Sequence, residues 1–87
     1  MHTHIDAKHM KLKALRKRAG ENCINTIEQE ISNLAEKGHF TAKINDENRT
    51  IKILKYIDIS SAKDYFRLKG YLCVFSDEFQ ILYISWA

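Results

Sequence analysis

The sequence has no proline, only three glycines and two cysteines, and no stretch that approaches the ~20 consecutive apolar residues of a membrane-spanning helix. Each scarcity excludes something. The glycines Gly20, Gly38 and Gly70 do not form the glycine-rich turn of a phosphate-binding loop or a dinucleotide fingerprint. Cys23 and Cys73 are too few for the disulfide framework of a small exported domain, and both are read as small buried hydrophobes. The first 20 residues carry charges where a signal peptide needs an apolar stretch, so a soluble, non-exported protein outside any membrane is expected. No aromatic residue precedes Phe40. At 87 residues and 45% hydrophobic content, the chain is too apolar for disorder and long enough for one domain with a small core.

What is present is unevenly spread. The formal net charge is +3, yet residues 1–20 hold Lys8, Lys11, Lys13, Arg16, Lys17 and Arg18 against Asp6 alone. The remaining 67 residues are slightly acidic. Residues 1–9 lack an amphipathic period, and His9-Met10 is the dipeptide that an NdeI cloning site encodes, so 1–9 are expected to be an expression leader and Met10 the native start. The His2-x-His4 pair has no further Cys, His or Asp to complete a metal site, and no metal or other cofactor is expected.

Residues 10–37 have helix composition and stop at Lys37-Gly38. Leu12, Leu15 and Ala19 step at helical spacing, as do Ile24, Ile27, Ile31, Leu34 and Ala35; the five-residue step across Gly20-Glu21-Asn22 predicts a bend between a basic segment, 10–20, and a main helix, 22–37. Glu28, Gln29, Ser32, Asn33 and Glu36 are expected to point away from the core. After Gly38 the period changes to two: Phe40, Ala42 and Ile44 mark a half-buried strand. A turn at Asp46-Glu47-Asn48-Arg49 and a second strand at Thr50–Ile57 complete an expected hairpin. A serine-capped helix follows, with Ala62, Tyr65, Phe66 and Leu68 inward and a stop at Lys69-Gly70. The apolar run Tyr71–Phe75 and the alternating Phe79–Trp86 supply two more strands. The expected fold is α+β, in the order α-β-β-α-β-β: a two-layer sandwich with the helices on one face of a mainly antiparallel sheet, in a single domain over 10–87.

Three segments resemble a family of short tailed-bacteriophage proteins. Lys37-Gly38-His39-Phe40-Thr41-Ala42-Lys43-Ile44 is similar to that family's K-G-x-x-S/T strand step, Leu68-Lys69-Gly70-Tyr71-Leu72-Cys73-Val74 to its glycine-tyrosine step, and Ile84-Ser85-Trp86 to its closing I-S-W. The resemblance implies a phage origin, the α+β fold and residence in the cytoplasm of an infected host cell. It brings no active site with it.

The residues themselves offer no catalytic constellation. His39 is the single histidine beyond the expected leader, at a helix exit where capping or solvation accounts for it. Asp46-Glu47 and Asp77-Glu78 fall in turns. The basic cluster Lys11, Lys13, Arg16, Lys17 and Arg18 crowds the start of a long helix, where the macrodipole disfavours cations; contacts to phosphates or to an acidic protein surface would account for it, and a solvated helix face that gives solubility is the other reading. An exposed sheet face carrying Leu54, Tyr56, Leu72, Val74 and Tyr83 would form an apolar docking patch. Together these features predict a non-enzymatic binding module whose partner is a protein of host or phage. An oligomeric virion or assembly component and a nucleic-acid binder are the alternatives.

Overall fold

The computed structural model describes residues 6–47, 49–50 and 52–87. It contains α1 (Ala7–Ala19), α2 (Glu21–Glu36), β1 (Thr41–Ile44), α3 (Ile59–Leu68), β2 (Leu72–Ser76) and β3 (Ile81–Ser85). The fold is α+β, and its three strands form one antiparallel sheet in the order β1-β3-β2.

Local chemistry sets the boundaries. Gly20, at φ 113°, is the single residue between α1 and α2. A side chain there would be held in a left-handed backbone region that favours glycine, so the predicted bend becomes a full break. The carbonyl of Ala19 accepts from the N–H of Asp58, which fixes the break to the start of α3. α2 and α3 end alike, in Lys37-Gly38 and Lys69-Gly70. The N–H of His39 returns to the Leu34 carbonyl and that of Gly38 to Ala35, while Tyr71 returns to Phe66 and Gly70 to Arg67. This paired arrangement satisfies the orphan carbonyls of the last helical turn.

The core is built from Ile24, Ile27 and Ile31 of α2, Ala62, Tyr65 and Phe66 of α3, and alternate strand residues Ala42, Ile44, Cys73, Leu82 and Ile84. Each fully buried Ile, Leu or Phe side chain contributes roughly 1.5–3 kcal/mol. Phe66 meets Tyr65 edge-on at 5.1 Å between ring centroids and Tyr71 at 5.7 Å, and Tyr71 meets Trp86 at 6.3 Å. Trp86 and Phe75 are half-buried against this core, whereas Phe40, expected inside, is 62% exposed. Its carbonyl is held by the N–H of Trp86, but its ring lies beyond the end of the buried stripe, which starts at Ala42. Leu68 is half-buried, and the small Ser61 takes a buried place on α3 instead. Asp58, not a serine, occupies the N-cap position of α3, and the hydroxyl of Ser61 donates to its carboxylate at 2.9 Å.

Among the described residues the expected hairpin between residues 39–45 and 50–57 is not formed. β1 pairs instead with β3, through Ala42↔Ile84 and Ile44↔Leu82. The described residues from 52 to 58 form turns; Asn48 and Ile51, which belonged to the expected hairpin, lie outside the described residues. Asp46 explains the outcome. Its carboxylate accepts the N–H groups of Ile53 (2.7 Å), Leu54 (2.9 Å) and Lys55 (3.0 Å), donors that a strand would offer to a neighbour. Ile53 and Ile57, four apart as on a helical turn, are then both buried. Arg49 ties the same segment to α2 by donating to both carboxylate oxygens of Glu30, at 2.8 and 2.6 Å. The helix α1 begins at Ala7, with Asp6 accepting from the N–H of His9, so helical structure extends into residues expected to be a leader; residues 1–5 lie outside the described ones.

Burial works against ionisation of Asp46, but the three backbone donors and the charge of Lys52 outweigh it and hold its carboxyl below the ordinary value. Replacing Asp46 by Ala removes the acceptor for three N–H groups at once, and is expected to lower the unfolding free energy by about 1–3 kcal/mol, with Asn at the position losing less. Urea denaturation of the two variants beside the wild type measures this.

Candidate binding surfaces

The basic cluster divides in two. Lys11, Lys13, Lys17 and Arg18 are exposed along α1. Arg16 is not, because it turns inward between α2 and α3. Its Nη1 donates to Glu28 Oε1 at 2.8 Å and to the Tyr65 hydroxyl at 2.8 Å, and its Nη2 donates to Asn25. Tyr65 in turn donates to Glu28 Oε2 at 2.9 Å, and Lys69 Nζ donates to the same oxygen at 3.1 Å. Glu28, expected to face solvent, is therefore the hub of a half-buried cluster drawn from all three helices. Arg16 is thus held by the scaffold, apart from the four exposed cations. Its guanidinium also lies 5.8 Å from the centre of the Tyr65 ring, and Lys69 lies 5.3 Å from it.

The electrostatics agree from each side. Burial opposes ionisation of Glu28, but hydrogen bonds from Arg16, Lys69 and Tyr65 prevail and hold its carboxyl below the ordinary value. Arg16 is raised chiefly by its hydrogen bond to Glu28. Lys69 is opposed by burial, yet raised overall by the same carboxylate.

The helix break also reverses the reading of the remaining cations. With α1 ending at Gly20, Arg16, Lys17 and Arg18 occupy its last turn. There the macrodipole favours positive charge, so no partner is needed to account for Lys17 and Arg18.

The sheet has one buried and one open face. Ala42, Ile44, Leu82, Ile84 and Cys73 point inward. The open face displays Thr41, Ser85 and Leu72 in one cross-strand row and Lys43, Tyr83 and Val74 in the next, followed by Ile81 beside Ser76. Leu72 is 69% exposed and Val74 49%, while Tyr83 is half-buried. The structure thus brings Leu72, Val74 and Tyr83 together. It does not bring Leu54 or Tyr56 to them, since both lie in the turns between β1 and α3. Leu54 is half-buried against the core, and Tyr56 is exposed beside Lys55.

The chemically reactive side chains are subdued. Burial pushes the Cys73 thiol up to about 11, against the opposing charges of Arg67 and Lys63. Burial, with the charge of Asp46, also raises Cys23, which is half-buried and not fully enclosed as expected. Neither thiol is poised as a nucleophile. His39 is exposed at the exit of α2. Among the described residues no three His, Cys, Asp or Glu side chains form a metal-sized group, and no helix is long and apolar enough to cross a membrane. In comparisons with known proteins, no family model matches the chain, and neither does any curated protein or solved structure.

Sequence reasoning missed Glu28, although the signal was present: Glu28 follows Ile24 by four and precedes Ile31 by three, which places it beside the buried stripe. The scaffold role of Arg16 has a sharp test. Arg16→Ala is expected to cost about 1–3 kcal/mol, because it strips Glu28 and Tyr65 of a charged partner, whereas Lys17→Ala stays within about 0.5 kcal/mol; thermal and urea unfolding compare the two. The pH dependence has a definite sign. A carboxyl lowered in the folded state contributes stability above its unfolded value of about 4.3, and that contribution is lost as the pH falls through the folded value. Glu28→Gln is expected to be less stable than wild type near neutrality and to show a smaller drop below about pH 4.3, as followed by urea midpoints across acid pH.

Proposed function

We propose that this chain is a non-enzymatic phage accessory protein that docks on a protein partner through the open face of its sheet. The observation that supports this reading is the exposure of Leu72 and Val74 on β2, next to Tyr83 on β3. An antiparallel sheet with one face in solvent ordinarily alternates apolar-in and polar-out. Here the outward positions of β2 and β3 include Leu72, Val74, Ile81 and Tyr83 as well as serines. Exposed apolar side chains gathered on one flat surface are characteristic of interaction sites. The resemblance to short tailed-phage proteins, which rests on the sequence steps at Lys37–Ile44, Leu68–Val74 and Ile84–Trp86, implies an encounter in the infected host cytoplasm, with a host enzyme or defence component as the proposed partner.

The nucleic-acid alternative draws less support from the same surface. Among the described residues Tyr83 is the single aromatic on the open face and Lys43 its single cation, a sparse platform for stacking bases along a strand. Self-association through the open face is the remaining alternative.

The variant Leu72→Asp with Val74→Asp separates these readings. Both positions are exposed, so the fold is expected to persist, as checked by thermal unfolding. Capture from infected-cell lysate is expected to retain one stoichiometric protein on the wild type and to lose it on the variant. Equal recovery on both, or none on either, overturns the reading, and a wild-type dimer by light scattering that the variant abolishes assigns the face to self-association instead.

A further inference from the structure

Between α1 and the last turn of α3 lies a cleft of about 360 Å³, lined by His9, Leu12, Lys13, Arg16, Tyr65 and Lys69. Its size is within the range of small-molecule sites and well below what a folded partner or a duplex requires. The charge balance is unusual for so small a space. Lys13, Arg16 and Lys69 bring three positive charges, and the carboxylate that contacts them is Glu28, which bonds Arg16 and Lys69. With histidine counted as neutral, the site holds a surplus of two positive charges.

Two of those cations are already held in place. Glu28 fixes Arg16 and Lys69 in the free protein, so a ligand meets partly ordered donors and loses less free energy in ordering them. Donor capacity remains. The Lys69 ammonium directs one N–H at Glu28 and a second toward Tyr65, which leaves one, and Lys13 forms no ion pair among the described residues. Leu12, half-buried on the inner side of α1, supplies an apolar wall beside these donors.

We propose that this cleft binds a small phosphomonoester. A phosphomonoester carries roughly −1.5 to −2 charges near pH 7 and three acceptor oxygens, which matches the surplus charge and the unused donors. A monocarboxylate would leave half of the surplus uncompensated. The organic group of the ester lies against Leu12, and this contact distinguishes an ester from free phosphate. His9 is not required for the site, which rests on side chains from Leu12 onward. The site is separate from the open sheet face and does not depend on the function assigned to that face.

The test is an NMR titration of the full chain at low ionic strength, with phenyl phosphate and inorganic phosphate as probes and backbone amides as the readout. Phenyl phosphate is expected to shift amides in residues 12–16 and 65–70 saturably, and to bind about fourfold more tightly than inorganic phosphate through burial of its ring. Lys13→Gln is expected to weaken phenyl phosphate binding about threefold. Lys43→Gln, on the open face of β1, removes the same net charge elsewhere and is expected to leave binding unchanged. Both lysines are exposed, so both variants are expected to fold. Three results overturn the proposal: no saturable shift with phenyl phosphate on the order of 10 mM, equal binding of the two probes, or equal weakening by the two substitutions.

Discussion

The carboxylate of Glu28 is the point at which three helices are joined. It sits on α2 and receives Arg16 from α1 together with Tyr65 and Lys69 from α3. α1 has few other attachments of comparable specificity, since Ala19 is its one fully buried residue and Leu12 and Leu15 are half-buried. The break at Gly20 lets α1 turn back onto α3, and the Glu28 cluster selects one way of doing so. A half-buried carboxylate with two cations and a hydroxyl avoids the cost of an unpaired buried charge. Its net worth is modest, but its geometric demand is strict.

This arrangement changes what the basic segment means. Seen as one long helix, the cations stand near an N-terminus and call for an external explanation. Broken at Gly20, Arg16, Lys17 and Arg18 stand at a C-terminus, the first bound to Glu28 and the other two favoured by the dipole, while Lys8, Lys11 and Lys13 lie before the last turn. For the three in the last turn the charge asymmetry between the first 20 residues and the others is thus accounted for within the fold. What is left over is local: Lys13 beside Arg16 and Lys69, and the exposed cations on the back of α1.

Periodicity and glycine positions carried much of the fold into the sequence. The stripe Ile24, Ile27, Ile31 and the lysine-glycine stops located α2 and α3, and the alternation in Ile81–Ser85 identified β3 and its buried side chains Leu82 and Ile84. The segment after β1 was illegible for a specific reason. Its β-branched composition favours a strand, but one carboxylate, Asp46, captures three successive backbone donors and curls the chain. Such a capture depends on the side chain meeting N–H groups seven to nine positions ahead, which no period reports. The pairing of β1 with β3 was hidden for the same reason, because local hairpin logic has no access to a partner some forty residues away. On the surface, the alternation in Phe79–Trp86 set Tyr83 on the face opposite Leu82 and Ile84, whereas Leu72 and Val74 stood in a continuous apolar run that marked neither side, and the pairing with β3 is what brings them beside Tyr83. Leu54 and Tyr56 were misplaced, because they inherited the misread strand.

The strand order β1-β3-β2 has a further consequence for the history of each molecule. The strand that occurs latest in the sequence stands in the middle, and both edge strands are bonded to it and not to each other. During synthesis β1 therefore waits, with its backbone donors and apolar side chains unpaired, until Ile81–Ser85 arrives, whereas β2 meets the same strand at once as a local hairpin. The docking of α3 on the other two helices is as distant in sequence, since Glu28 meets Tyr65 across 37 positions and Arg16 meets Tyr65 across 49. Joining of β1 to the β2-β3 hairpin is thus a closing event set by long-range contacts, slow relative to the formation of single helices and sensitive to any change that delays the final strand.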